Sequence, residues 1–229
     1  MVRRSTTAKT ARATVNAPSL ADTAYLHLEQ MIVTLRLRPG SAVSEAELSE
    51  RLGIGRTPIR EALHRLARER LVVILPRRGI IVSDINVNTQ LRLLEVRRVV
   101  ECLVARSAAR RSDQPTRTRF REIAAIFERC AKSNDDVGFM EVDREFNELC
   151  VDATRNEFAS GAMSLMHSLS RRFWYLHYKQ AADMPQTAKL HANMARAIAS
   201  GREDAAELAA NRLLDTIEAF TRATVTTEF

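Results

Sequence analysis

Apolar residues recur at helical spacing through Leu20, Ala24, Leu28, Met31, Ile32 and Leu35. The run opens on Ser19-x-x-Asp22, a pair whose side chains can cap each other's backbone N–H groups. Arg38-Pro39-Gly40 stops this helix, since proline cannot continue it and glycine supplies the turn. Ser44-x-x-Glu47 predicts a second capping box and a short helix through Leu52, ended by Gly53. Thr57-Pro58 predicts a third, with threonine as N-cap and proline at the first helical position, running to about Arg70. Leu71–Leu75 and Ile80–Val82 are strand-length runs rich in β-branched residues, joined by the turn Pro76-Arg77-Arg78-Gly79. From about Asn86 the period is helical throughout. Six helices are predicted, over about 86–112, 115–133, 136–153, 156–179, 185–200 and 202–224. Long amphipathic helices with short loops pack as an antiparallel bundle. The expected fold is therefore mainly α: a winged helix-turn-helix of three helices and a two-stranded wing, then an all-α antiparallel bundle of about six helices.

Charge divides the chain at the same place. Residues 1–82 carry 14 Lys and Arg against 7 Asp and Glu, whereas residues 83–229 carry 21 of each. The whole excess of +7 thus sits in the first third, and a polyanion is the partner such a module suits. Residues 1–18 lack acids and hydrophobic periodicity, which predicts a disordered basic arm. The expected division is 1–18 arm, 19–83 DNA-binding domain and 84–229 all-helical domain.

Two short helices around a glycine turn make a helix-turn-helix, whose second helix reads base edges with its N-terminal residues. Here those positions hold Arg56, Thr57 and Arg60, with His64, Arg65 and Arg68 further along. Arginine can fork onto guanine or grip phosphate. Arg77, Arg78 and Gly79 tip the wing, where they can touch the DNA backbone or enter the minor groove.

Other classes find little support. Glu61-x-x-His64 is half of a di-iron bundle signature, and its second half is missing. There is no glycine-rich phosphate loop, no HExxH and no nucleophile elbow, so an enzyme is not expected. The three cysteines, Cys102, Cys130 and Cys150, form no CxxC pair, which fits a reducing cytoplasm. No apolar run approaches membrane-spanning length, so no membrane partner is expected.

The stretch ELSERLGIGRTPIREALHRLARERLVVILPRRGIIV resembles the N-terminal domain of the GntR-type winged-helix regulators. That resemblance implies DNA contacts at Arg56, Thr57, Arg60, Arg77, Arg78 and Gly79. Gly55 departs from the family, which usually has a serine or threonine there. The segments LLEVRRVVECLVARSAAR, DREFNELCVDATRNEF and KLHANMARAIASGREDAAELAANRLLD resemble the FCD-type domain of the FadR-like branch. Many members of that branch hold a divalent metal on an Asp-x-x-x-His pair and two later histidines. The matching positions are Asp143, Asn147, His191 and Leu213, two of which are poor or impossible ligands. The expectation is a weakly held divalent ion or none, with Asp143, Asn147 and His191 lining a pocket for an organic acid. Arg97, Arg171 and Trp174 are further candidates for that pocket. A salt bridge to Glu101 is an equal alternative for Arg97, and core packing an alternative for the Arg171–Tyr178 cluster. The implied assembly is a homodimer on a pseudo-palindromic double-stranded DNA operator.

Overall fold

The computed structural model describes residues 18–77, 79–181 and 183–225. Among them lie nine helices and three short strands. Helix α1 (Leu20–Val33) starts with the reciprocal cap, Ser19 Oγ accepting from Asp22 N and the Asp22 carboxylate from Ser19 N. Helices α2 (Glu45–Leu52) and α3 (Arg56–Arg68) are joined by Gly53 in the left-handed conformation (φ 65°). Its missing Cβ makes that turn inexpensive.

Strands β1 (Ala42–Val43), β2 (Val72–Leu75) and β3 (Gly79–Val82) form an antiparallel sheet in the order β1-β3-β2. The wing expected as two strands is therefore part of a three-stranded sheet. Ala42 pairs with Ile81 and Val43 with Ile80, extending the free edge of the hairpin. Two residues carry no alternation, so this strand leaves no pattern to read.

Six helices follow: α4 (Val87–Arg111), α5 (Gln114–Ser133), α6 (Asp136–Ala153), α7 (Glu157–Ala181), α8 (Met184–Ser200) and α9 (Glu203–Val225). Their bounds agree with the sequence reading to within about two residues. Asn86, Asp113, Asp135 and Asp183 each cap a helix start by accepting a backbone N–H three residues on.

Each half has its own core. Leu28, Ile32, Leu48, Ile59, Leu63 and Leu66 fill the first. Phe120, Ile123, Phe127, Phe146 and Ile198 are central to the second, where Phe127 meets Phe146 edge to face at 5.7 Å. Helix α7 belongs to the bundle but also docks the first half. Leu169 packs against the first core. Arg172 donates to the carbonyls of Ser83 (2.8 Å) and Asp84 (3.1 Å) in the connection between the halves.

Candidate functional site

Helix α3 buries Ile59, Ala62, Leu63 and Leu66 and turns Arg56, Thr57, Arg60, His64 and Arg68 outward. The four expected helix contacts, Arg56, Thr57, Arg60 and His64, thus share one exposed face. Glu61 is exposed among them. The helix begins two residues earlier than Thr57-Pro58 suggests. Gly55 is the N-cap and makes no side-chain bond, so Thr57 is not a cap but a first-turn residue. With no cap side chain and Pro58 lacking an N–H, the amides of Arg56 and Thr57 remain for an anion. Ser44 caps α2 by accepting from Glu47 N at 3.1 Å.

Arg60 is gripped by Glu45 of α2, Nε to Oε1 at 2.8 Å and Nη2 to Oε2 at 2.7 Å. That fork holds the Glu45 carboxyl below its usual range. Both groups stay solvent-accessible, so the pair fixes a direction more than it stabilises the fold. Glu45 was invisible as a site residue because its partner lies fifteen positions on, in the next helix. Arg77 and Gly79 stand exposed at the hairpin tip, both with positive φ (61° and 98°). Arg78 lies outside the described residues, as do residues 1–17 of the expected arm.

The second constellation lies inside the bundle. Arg97, Asp143, Asn147, Arg171, Trp174 and His191, drawn from four helices, line one small cavity. Its free space is about 40 Å³, enough for one or two waters. Asp143 is its electrostatic centre. Its Oδ1 accepts from Asn147 Nδ2 (3.2 Å) and faces His191 Nε2 (3.2 Å), while Oδ2 is 3.5 Å from Arg171 Nε. Burial alone would raise the Asp143 carboxyl. The His191 hydrogen bond and the charges of His191, Arg171 and Arg97 outweigh it and hold the group below its usual range. His191 sits among Phe127, Phe139 and Phe146, with Nδ1 2.9 Å from Thr187 O.

These residues do not suit a divalent cation. Asn147 points its N–H₂ at the carboxylate, Arg171 places a fixed charge beside it, and Leu213 is a buried core side chain. Among the described residues no group of three or more His, Cys, Asp or Glu could hold a metal ion.

Arg97 meets both of its alternatives: it lines the cavity and donates to Glu101 Oε2 at 2.6 Å. His167 also lines the cavity and went unnoticed in the sequence. It lies one turn before Arg171, a spacing that could have placed it on the same face. Burial, then the Arg97 charge, holds its imidazole down at about 4.

Arg171 also reaches out of the bundle. Its Nη1 donates to Oε1 of Glu29 on α1 at 3.2 Å, and Glu29 is buried. Close to Glu29 is a second buried acid, Glu69, just past α3. Burial pushes Glu69 up, the Tyr25 hydrogen bond and Arg65 pull it down, and the Glu29 charge adds repulsion. Tyr25 Oη donates to Glu69 at 2.8 Å, and the Arg65 guanidinium stacks 3.6 Å above the Tyr25 ring. A connected set of charges thus runs from Asp143 through Arg171 to the base of α3.

Residues 20–82 match the pattern of bacterial regulatory proteins of the gntR family, and residues 92–216 match the FCD domain. The chain belongs to the GntR family. It is a DNA-binding transcription regulator with an FCD effector-binding domain, not an enzyme. It is 27% identical over 197 residues to the HTH-type transcriptional repressor RspR of Escherichia coli K12, covering 84% of this chain and 85% of that one. The Nta operon transcriptional regulator of Aminobacter aminovorans is 27% identical over 175 residues, 76% and 81% of the two chains. A regulator from Streptomyces ambofaciens is 50% identical over 62 residues, 27% of this chain and 26% of that one. The fold is shared with E. coli McbR/YncC, at TM-score 0.75 and 15% identity over 91% of this chain and all of that one. A GntR regulator from Rhodococcus sp. RHA1 gives 0.67 at 22% identity, over 89% and 97%. No helix among the described residues is long and apolar enough to cross a membrane.

A pH prediction follows from His167. Its folded pKa of about 4 lies below the ordinary 6.5, so the unfolded chain takes up its proton first as pH falls. Its contribution to stability is complete above about pH 6.5 and is lost on descending towards 4. Thermal melts across that window should show a shallower pH dependence for His167→Gln than for the wild type. Parallel curves would contradict a neutral His167.

Proposed function

We propose that the chain is a cytoplasmic homodimer, that it binds a pseudo-palindromic operator through residues 19–83, and that a small carboxylic acid in the bundle modulates this binding. The observation that carries the reading is the position of Arg171, between Asp143 in the cavity and Glu29 in the winged helix. Its Nε is buried without a hydrogen bond, so the guanidinium has donor capacity to give. A carboxylate entering the cavity competes with Asp143 and Glu29 for it. The cavity must widen to admit such a ligand, given its 40 Å³ of free space. Ligand affinity then differs between arrangements in which Arg171 does and does not hold Glu29, and that difference is what coupling to DNA requires.

Arg56, Thr57, Arg60, His64, Arg77, Arg78 and Gly79 are the proposed DNA contacts. The first four are supported by their common exposed face, and Arg60 further by the Glu45 carboxylate that orients it. Dimerisation is supported by Val96, Val99 and Leu103, spaced along one side of α4 and 58%, 71% and 49% exposed. An apolar stripe of that kind is what a second copy covers.

Two outcomes are expected. Arg60→Ala should weaken operator binding by about 1–3 kcal/mol while changing random-sequence binding much less, read by competition titration at fixed salt. An unchanged preference for operator would remove Arg60 from base reading. Val99→Asp should convert the dimer to monomer in native mass spectrometry while the helical circular dichroism persists; a retained dimer would move the interface elsewhere.

A further inference from the structure

A larger space lies between the two halves. It measures about 520 Å³, against about 40 Å³ in the bundle cavity, and falls in the range of small-molecule sites. One wall is the wing, where Val73 and Ile74 of β2 are 48% and 37% exposed. The other is Leu93 of α4 with Leu169 and Phe173 of α7. Arg172 lines the same space and is only 2% exposed. Its two outer nitrogens bond the carbonyls of Ser83 and Asp84, its Nε has no partner, and Ser83 Oγ beside it has none either. Among the described residues no carboxylate comes within ion-pairing distance of it. Burial holds its guanidinium down at about 10, with Asp84 opposing weakly. Arg70, exposed on the lining, adds a second cation.

Arg172 is a buried cation met by two backbone carbonyls and, at longer range, by the Asp84 charge, with no carboxylate in direct contact. A buried guanidinium so partnered carries a desolvation cost. We propose that this crevice is a second ligand site, taking a monocarboxylate with an apolar body, its acid group on Arg172 and its body between Ile74, Leu93 and Phe173. The site is separate from the bundle cavity. Successive residues of α7 divide between them, Arg171 and Trp174 facing the cavity and Arg172 and Phe173 the crevice. This follows from the turn of about 100° per residue along a helix. A ligand seated there braces β2 against α4 and α7 through the connection at Ser83–Asn86, and so biases the placement of the wing. The inference holds whether or not the bundle cavity takes an effector.

The test uses the full chain and anilinonaphthalene sulfonate, a fluorescent monoanion with an apolar body, displaced by decanoate. Emission should saturate at one probe per chain, and decanoate should reverse it. Ile74→Asp, on an exposed wall position, should weaken both ligands by roughly tenfold or more, and Arg172→Met should do the same for the acid. Trp174→Phe in the bundle cavity should leave both within about twofold. The absence of saturable binding overturns the proposal. So does unchanged affinity in a folded Ile74→Asp, or an effect seen only with Trp174→Phe, which would place the probe in the bundle.

Discussion

Arg171 is held between two carboxylates, and its position sets the relation between the halves of this protein. Asp143 and Glu29 are both buried, one inside the bundle and one on the inner face of α1. Removing the cation leaves Glu29 as a buried charge without its ion-pair partner, at a cost on the order of 3–5 kcal/mol, whereas Asp143 keeps His191, Asn147 and Arg97. Glu69 raises the stakes, because it is a second buried acid near Glu29 and has only Arg65 and Tyr25 to offset it. The first half therefore depends on a cation supplied by the second. The same set of charges ends at Arg65 in the last turn of α3, which is the route by which we propose that the cavity state reaches that helix.

The recognition face is organised by what is absent as much as by what is present. Gly55 leaves the start of α3 without a side-chain cap, so its first amides stay available for a phosphate. Glu45 holds the Arg60 fork in a defined direction before any DNA arrives. Preorganisation of this kind lowers the entropy lost when a long side chain is fixed on a base. It also sets a competition, since an arginine shared with a carboxylate must release part of that pair to take a guanine. The connection between halves follows a related logic: Arg172 uses its two outer nitrogens on the backbone carbonyls of Ser83 and Asp84, and its Nε is left without a partner.

Most of the fold was legible because it is written in local patterns. Periodicity, capping residues and glycine or proline breaks located all nine helices, and the hairpin followed from its β-branched runs. The first helix, read through Leu35 to the Arg38-Pro39-Gly40 stop, ends instead at Val33, with Leu35 in the left-handed region. Strand β1 was not legible, being two residues long and dependent on the edge of β3 for its bonds. The start of α3 was misplaced because threonine before proline is a strong capping signal, and it was overridden by the turn from Gly53 to Gly55. In the site, the Asp143–Asn147 spacing and the Arg171–Trp174 cluster could be read as helix faces, and the structure brings them together with Arg97 and His191 around one cavity. Glu29, Glu45 and Arg172 could not. Each works through a partner on another element, and no spacing within one helix encodes which element will lie opposite.

Arg171 is the proposed route by which the charge state of the bundle cavity reaches the winged helix. Asp143 touches no residue of α1 or α3 in the contacts described above, so altering it tests transmission and not direct contact. Amide hydrogen exchange of Asp143→Asn should show slower exchange in α1 around Glu29, because Arg171 is then left to Glu29 alone, with a smaller change at the end of α3. Changes confined to α6, α7 and α8, with α1 exchanging as in the wild type, would contradict the account.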